Sequence, residues 1–289
     1  MPGTIIVGFD GSPASRAAAD WAARRAQRCG CELRLVLSVP DDWDPPEAQL
    51  STDGIEPAAR ALDEGRARIA ALFPGITIHT AIRRGDPALV LGELSRDAVL
   101  VVVGTDKPAD PHGEGFGAVG LQVVTRSACT VAIIPSTPTP PTRGTGVVVG
   151  VDGSADADRA LRVAAGEAEM CGQALTIVHA MAAAGQGRPT KPRNAPGEPG
   201  ADEAGERVLD AAVAAVRDLN PRLQVHRVLD TRHSPAEALA SAAGGARLLV
   251  VGSRGRESVK HMWPGAIGSV VLSRIACPML VTTPSAADS

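Results

Sequence analysis

The chain has 289 residues, 44% of them hydrophobic, and a formal net charge of −3. That length is about twice a modal domain of ~100–150 residues, so two domains are expected, and the apolar content excludes a disordered chain. The slightly acidic balance gives no basic footprint for nucleic acid or an anionic membrane, and no apolar run approaches the ~18–20 residues of a bilayer span. With three Phe, three Trp and no Tyr, the cores must be built from Val, Leu, Ile and Ala. Met1-Pro2-Gly3-Thr4 carries no charged leader of the signal-peptide kind, and five cysteines at low density fit a reducing compartment. A cytoplasmic protein is the expectation. The Ala- and Arg-rich composition points to a GC-rich bacterial source.

Residues 4–9 form a continuous apolar run ended by Asp-Gly-Ser, which predicts a buried parallel strand followed by a helix start. Ala17–Arg28 is Ala-rich and free of breakers, with Gly30 placed as a C-terminal glycine. A strand at 32–39, a Pro/Asp-rich loop, a helix at 57–72 and a strand at 76–83 follow. Pro87 suits the first turn of a short helix. Ala98–Gly104 is the strongest strand signal, and a helix near 117–127 and a strand at 130–134 close the first half. Strand–helix alternation with short connections means a doubly wound parallel sheet.

The pattern then repeats. Val7-Gly8-Phe9-Asp10-Gly11-Ser12 recurs as Val149-Gly150-Val151-Asp152-Gly153-Ser154, an offset of 142 that holds without a gap from Ile5 to Val39. From Asp86 onward the offset is 148, pairing Gly104 with Gly252, Gly120 with Gly268, Arg126 with Arg274 and Cys129 with Cys277. The six extra residues lie around the loops 40–56 and 182–200. A period near 145 residues is too long for a solenoid unit, so each copy is a whole domain. The expected organisation is a first domain over 1–136, a stiff Pro/Thr linker over 137–145 and a second domain over 146–289. Each final strand is a short apolar edge that must be covered. Antiparallel pairing of the two would relate the halves by a pseudo-two-fold axis, an intramolecular pseudo-dimer, with assembly into a homodimer a further expectation.

In such sheets ligands bind beyond the carboxyl ends of the strands, where the winding reverses. With five strands in the order 3-2-1-4-5, the reversal falls between strands one and four. Strand one ends at Asp10 or Asp152 and strand four at Gly104 or Gly252. An Asp there can accept from a ribose hydroxyl, and glycine-rich backbone opening a helix can donate N–H groups to phosphate. The bland readings stand beside this one: an Asp or Ser at that turn suffices as a helix N-cap, and Gly104 and Gly252 suffice as strand-ending turns.

Val-Gly-Val-Asp-Gly-Ser, Ser234-Pro235-Ala236 before a helix, Val250-Val251-Gly252-Ser253-Arg254-Gly255 with Gly268-Ser269-Val270, and Ala276-Cys277-Pro278-Met279-Leu280-Val281 together resemble the universal stress protein family. The resemblance covers both halves and implies the five-stranded sandwich of the adenine nucleotide alpha hydrolase type. One branch of the family binds ATP through Gly-x-x-Gly, nine residues, then Gly-Ser/Thr; another lacks the motif and does not bind. By that resemblance Asp152 touches the ribose, Met181 lies against adenine, and Gly252, Gly255, Gly268 and Ser269 hold the phosphates. The candidate set in the second half is thus Gly150, Asp152, Met181, Gly252, Ser253, Arg254, Gly255, Gly268, Ser269 and Val270, with Gly8, Asp10 and Gly104 in the first. The implied role is regulatory, in stress physiology, through ATP with Mg²⁺ and an unidentified protein partner, without efficient turnover. The alternative is a tandem interaction module that binds no nucleotide.

The pattern is not matched throughout. Twelve residues separate Gly255 from Gly268, with Arg256, Lys260 and Trp263 among them, where the family has nine. In the first half Lys107 stands for the second glycine and Leu121 for the serine, and Pro108 and Pro111 remove N–H donors. Arg254, Arg256 and Lys260 form either a phosphate clamp or a solvated loop face. Gly115–Gly120 fits Gly-x-Gly-x-x-Gly, but no acidic residue follows at ribose spacing. Asp10-Gly11-Ser12-Pro13 is not the Ser-Gly-Gly-x-Asp-Ser loop of ATP pyrophosphatases. The histidines show no ligand spacing, His233 reads as a surface loop residue, and no Cys-x-x-Cys or Gly-x-Ser-x-Gly occurs. No catalytic or metal-binding residue is assigned.

Overall fold

The β-branched runs of the sequence become parallel strands because both of their faces are covered by helices. The computed structural model describes residues 3–39, 55–106, 118–136, 144–181, 201–253 and 277–283. The chain divides into two compact units, the first built on Met1–Pro138 and the second on Thr139–Thr282. No helix among the described residues is long and apolar enough to cross a membrane.

In the first unit, β1 (Thr4–Gly8), β2 (Glu32–Val39), β3 (Ile78–Arg84), β4 (Leu100–Thr105) and β5 (Val131–Pro135) lie parallel in the order β3-β2-β1-β4-β5. Ile5 is in register with Leu33 on one side and Leu100 on the other. Central β1 is buried through Ile5, Ile6 and Val7, whereas no residue of edge strand β3 is fully buried. Right-handed crossovers then place the helices. α1 (Pro13–Cys29) and α2 (Ile55–Leu72) pack on one face, and α3 (Pro87–Leu94) and α4 (Ala118–Arg126) on the other. The second unit repeats this with β6 (Val147–Gly150), β7 (Leu175–Ala180), β8 (Val225–Asp230), β9 (Leu248–Gly252) and β10 (Met279–Thr282), in the order β8-β7-β6-β9-β10. α5 (Ala155–Cys171) and α6 (Ala201–Leu219) share one face, and α7 (Pro235–Ala243) packs on β6 and β7. The winding reverses between β1 and β4, and between β6 and β9, as the sequence predicts.

α1 begins at Pro13, four residues ahead of the expected Ala17, because Ser12 caps it and proline is already set for the first turn. Its sheet-facing stripe, Ala18, Ala19, Ala22, Ala23 and Ala26, is fully buried, and α5 matches it with Ala160, Ala164, Ala165 and Ala168. Such small residues let these helices sit close to the sheet. Cys29 and Cys31, expected among reduced cysteines, are joined by a disulfide.

The units differ between their first two helices. In the first, the Phe9 ring lies under Gly65 of α2, so close that a Cβ at Gly65 would meet Cζ at 2.6 Å. Above it, the Arg68 guanidinium donates to both Asp20 oxygens, at 2.5 and 2.7 Å. A cavity of about 200 Å³ remains there. In the second unit Val151, Ala212, Arg162 and Ala215 occupy the equivalent positions. The smaller side chain below and the missing ion pair above leave about 520 Å³.

Candidate functional site

At the end of β1 the chain reverses through an Asx turn. The Ser12 N–H donates to Asp10 Oδ1 at 2.9 Å, Gly11 takes φ +80°, and Ser12 Oγ accepts from the Ser15 N–H at 3.2 Å. The second unit repeats it: the Ser154 N–H donates to Asp152 Oδ1 at 2.9 Å, Gly153 has φ +78°, and Ser154 Oγ accepts from the Ala157 N–H at 3.2 Å. The serines are therefore the helix caps. The aspartates shape the turn by accepting the serine N–H groups, so of the Asp or Ser that the sequence allows as the cap, it is Ser in both units. Partial burial pushes the Asp10 carboxyl up, but hydrogen bonds from Ser12 and Ser15 outweigh it and hold the group below the usual carboxylate range.

The opposite wall is the end of β4 or β9. A Cβ on Gly104 would lie 2.2 Å from the Ala14 carbonyl oxygen, and one on Gly252 would lie 3.0 Å from the Asp156 carbonyl. Glycine at position 104 is thus required by the close approach of the first turn of α1, whereas at Gly252 the first turn of α5 would have to give by only a few tenths of an ångström. Gly8 and Gly150 make room on the other face, where a Cβ would meet Leu91 and Leu239 at 3.0 Å.

The next residue in each unit, Thr105 or Ser253, has a buried hydroxyl oxygen with no hydrogen-bond partner among the described residues. A buried polar group left unsatisfied costs about 1–3 kcal/mol, so two at repeat-equivalent positions beside the crevice call for an explanation. Thr105 was missed in the sequence, although the offset of 148 pairs it with Ser253 and would have found it.

Met181 follows β7 and is half-buried, its N–H donating to the Asp230 carbonyl at 2.9 Å. Its sulfur and the His179 ring both crowd Gly205 of α6, each 3.2 Å from where a Cβ would stand. His179 is buried, with Nδ1 2.7 Å from the Val151 carbonyl oxygen. A carbonyl only accepts, so Nδ1 carries the proton and ties β7 to the residue before Asp152. Sequence reasoning missed His179 as well. Its one signal is that the first unit has Leu37 in its place.

His233 is exposed, as predicted, and its Nδ1 lies 2.9 Å from Asp230 Oδ2. Leu121 is half-buried in α4. Arg254, Gly255, Gly268, Ser269 and Val270 lie outside the described residues, as do Lys107, Pro108, Pro111, Arg256, Lys260 and Trp263. Among the described residues no group of three or more His, Cys, Asp or Glu could hold a metal ion.

Known proteins resemble the whole chain. The sequence profile of the universal stress protein family matches residues 1–135 and again 145–283. Universal stress protein Rv1996 of Mycobacterium tuberculosis is 30% identical, covering 96% of this chain and 94% of its own length. Rv2623 of the same organism is also 30% identical, over 97% of this chain and 96% of its own. The crystal structure of a universal stress protein from Archaeoglobus fulgidus superposes with a TM-score of 0.72 at 19% identity, covering 99% of this chain and 97% of that one, which shows a shared fold. With two family matches in tandem and both sheets wound as described, the chain belongs to the universal stress protein family as a tandem-domain member.

Proposed function

We propose that the second unit binds an adenine nucleotide at the crevice between β6 and β9, and that the protein is regulatory rather than an efficient catalyst. The observation that carries this reading is the pairing, at the winding reversal, of the Asp152 carboxylate turn with the buried Ser253 hydroxyl that has no partner among the described residues. A carboxylate offers about four lone-pair positions, so a ribose hydroxyl is a donor that Asp152 suits. Ser253 can donate to or accept from the same ligand. Met181 offers a soft, polarisable surface of the kind that packs on an aromatic base. Arg254, Gly255, Gly268, Ser269 and Val270 take the phosphate end by resemblance, and Mg²⁺ arrives with the triphosphate. In the first unit Gly8, Asp10, Gly104 and Thr105 keep the nucleoside end, while Lys107 and Leu121 stand where the phosphate end needs glycine and serine. One nucleotide per chain follows. The output is a change recognised by a protein partner.

The test begins with denaturing freshly purified protein and identifying the released small molecule by mass. One adenine nucleotide per chain is expected. Asp152→Asn keeps an oxygen for the Ser154 N–H but removes the charge, and should weaken MgATP binding by about tenfold, as loss of a charge-assisted hydrogen bond does. Gly268→Glu with Ser269→Leu should abolish phosphate recognition. An empty protein with no calorimetric response to MgATP sinks the reading and leaves the interaction module. Unchanged affinity in both variants puts the nucleotide elsewhere.

A further inference from the structure

The five cysteines fall into two chemical groups. Cys129, Cys171 and Cys277 take part in no disulfide. Burial pushes the Cys129 thiol up to about 11 and Cys277 up to about 12, so both stay protonated and inert at neutral pH. Cys29 and Cys31 instead share a disulfide across a single residue, with Cα atoms 5.4 Å apart, inside the ordinary range for such a bond. Cys29, the last residue of α1, is exposed, and Cys31 is half-exposed just before β2.

The duplication supplies an internal control. Gly30 turns the chain with φ 65°, and the Cys31 N–H donates to the Ala26 carbonyl at 3.0 Å. In the second unit Cys171-Gly172-Gln173 makes the same turn with φ 60° at Gly172, and the Gln173 N–H donates to the Ala168 carbonyl at 2.8 Å. No second sulfur is present there, and the Gln173 side chain accepts from the Gly146 N–H instead. The turn therefore forms from backbone hydrogen bonds and a left-handed glycine whether or not sulfur bridges it. A loop closed over three residues also constrains the unfolded chain very little. The bond is thus not needed by the fold, is open to attack, and has its two sulfurs held in bonding range by the backbone.

We propose that Cys29-Gly30-Cys31 is a thiol–disulfide exchange site, a reversible two-electron couple whose reductant is a low-molecular-weight thiol. A thiolate RS⁻ attacks the exposed Cys29 Sγ. The Cys29–Cys31 bond breaks, and Cys31 leaves with the electron pair and takes a proton. A second thiol attacks the mixed disulfide, freeing the Cys29 thiol and forming RSSR. The sum is protein disulfide plus two RSH giving protein dithiol plus RSSR, and oxidation runs the same steps in reverse.

Full-length protein equilibrated in glutathione buffers, from fully reduced to fully oxidised, is quenched with an alkylating reagent and digested with trypsin. Cleavage after Arg28 and Arg34 puts both cysteines on one peptide, Cys29–Arg34. The expected result is a peptide carrying either two adducts or none, with a midpoint inside the buffer range. Cys31→Ser removes the resolving thiol, so the mixed disulfide on Cys29 should accumulate about tenfold over wild type. The reduced protein should keep its circular dichroism and cooperative unfolding. Two adducts under every condition, or none even in fully reducing buffer, overturns the proposal. Unfolding on reduction also overturns it, by showing the bond to be structural.

Discussion

A Cβ placed at Gly104 and one placed at Gly252 meet different obstacles, although the two glycines end equivalent strands. At Gly104 the nearest atoms are backbone, the Ala14 carbonyl oxygen at 2.2 Å and the Ser15 nitrogen at 2.8 Å, which can move only if α1 lifts from the sheet. At Gly252 the nearest contacts are the Asp156 carbonyl at 3.0 Å and its Cβ at 3.2 Å, a gap that a shift of a few tenths of an ångström would open. Gly104→Ala should therefore destabilise by about 3 kcal/mol, at the upper end of overpacking penalties, and Gly252→Ala by about 1 kcal/mol. Urea unfolding of the two variants checks the order. Equal losses would mean that the spacing of α5 over β9 is as rigid as that of α1 over β4. The same comparison bears on the site, since it separates what these glycines do for packing from what they do for a ligand. Gly252→Ala that leaves stability near wild type yet loses nucleotide would assign Gly252 a second role.

At the scale of the helix, glycine again has opposite meanings in two places. Gly65 sits inside α2 and Gly166 inside α5, and on helix propensity alone alanine would stabilise either by about 1 kcal/mol. Gly65 has the Phe9 ring against it, with Cζ at 2.6 Å and Cε1 at 2.8 Å from where a Cβ would stand, and that ring is buried at 4% exposure. Gly166 is exposed and has nothing within 4 Å. Gly166→Ala should stabilise the protein by up to about 1 kcal/mol, and Gly65→Ala should destabilise it by about 1–3 kcal/mol because the ring has to leave its rotamer. Chemical denaturation reads both signs, and a stabilising Gly65→Ala would show that the ring has room to move. This contrast also marks what the sequence could carry. Repetition of Val-Gly-x-Asp-Gly-Ser, the β-branched runs and the Pro and Gly punctuation gave the elements, because these are local effects written within a few residues. The winding reversal followed from topology, and with it the meeting of Asp152 and Gly252. What stayed hidden depends on side chains far apart in the chain: Phe9 under Gly65, Arg68 reaching Asp20, and His179 donating to Val151. Nothing within a helical or strand window encodes such partners. The Cys29–Cys31 bond was local enough to see, yet its reading turned on composition, which speaks of compartments rather than of one exposed turn.

For the molecule as a whole, duplication with divergence predicts two units of one fold and unequal affinity. Both keep the Asx turn, the strand-ending glycine and the buried hydroxyl, the features on which the proposed nucleoside end rests. Gly120 and Gly268 are shared, but only the second unit has Gly255 and Ser269, the positions proposed for the phosphates, where the first has Lys107 and Leu121. A ligand that binds only the native state adds stability of RT ln(1 + [L]/Kd), about 2.7 kcal/mol at a hundredfold excess over Kd. Amide hydrogen exchange reads this unit by unit, because each peptide reports its own opening free energy. With MgATP at that excess, the most protected amides of β6 (Val147–Gly150) and β9 (Leu248–Gly252) should slow by about 100-fold, while those of β1 (Thr4–Gly8) and β4 (Leu100–Thr105) keep their rates. Adenosine in place of MgATP should narrow the difference, since it lacks the phosphates at which the halves diverge. Equal slowing of both units by MgATP would show that Lys107 and Leu121 do not exclude phosphate. No slowing in either would leave the Ser253 and Thr105 hydroxyls to be explained by a ligand other than a nucleotide.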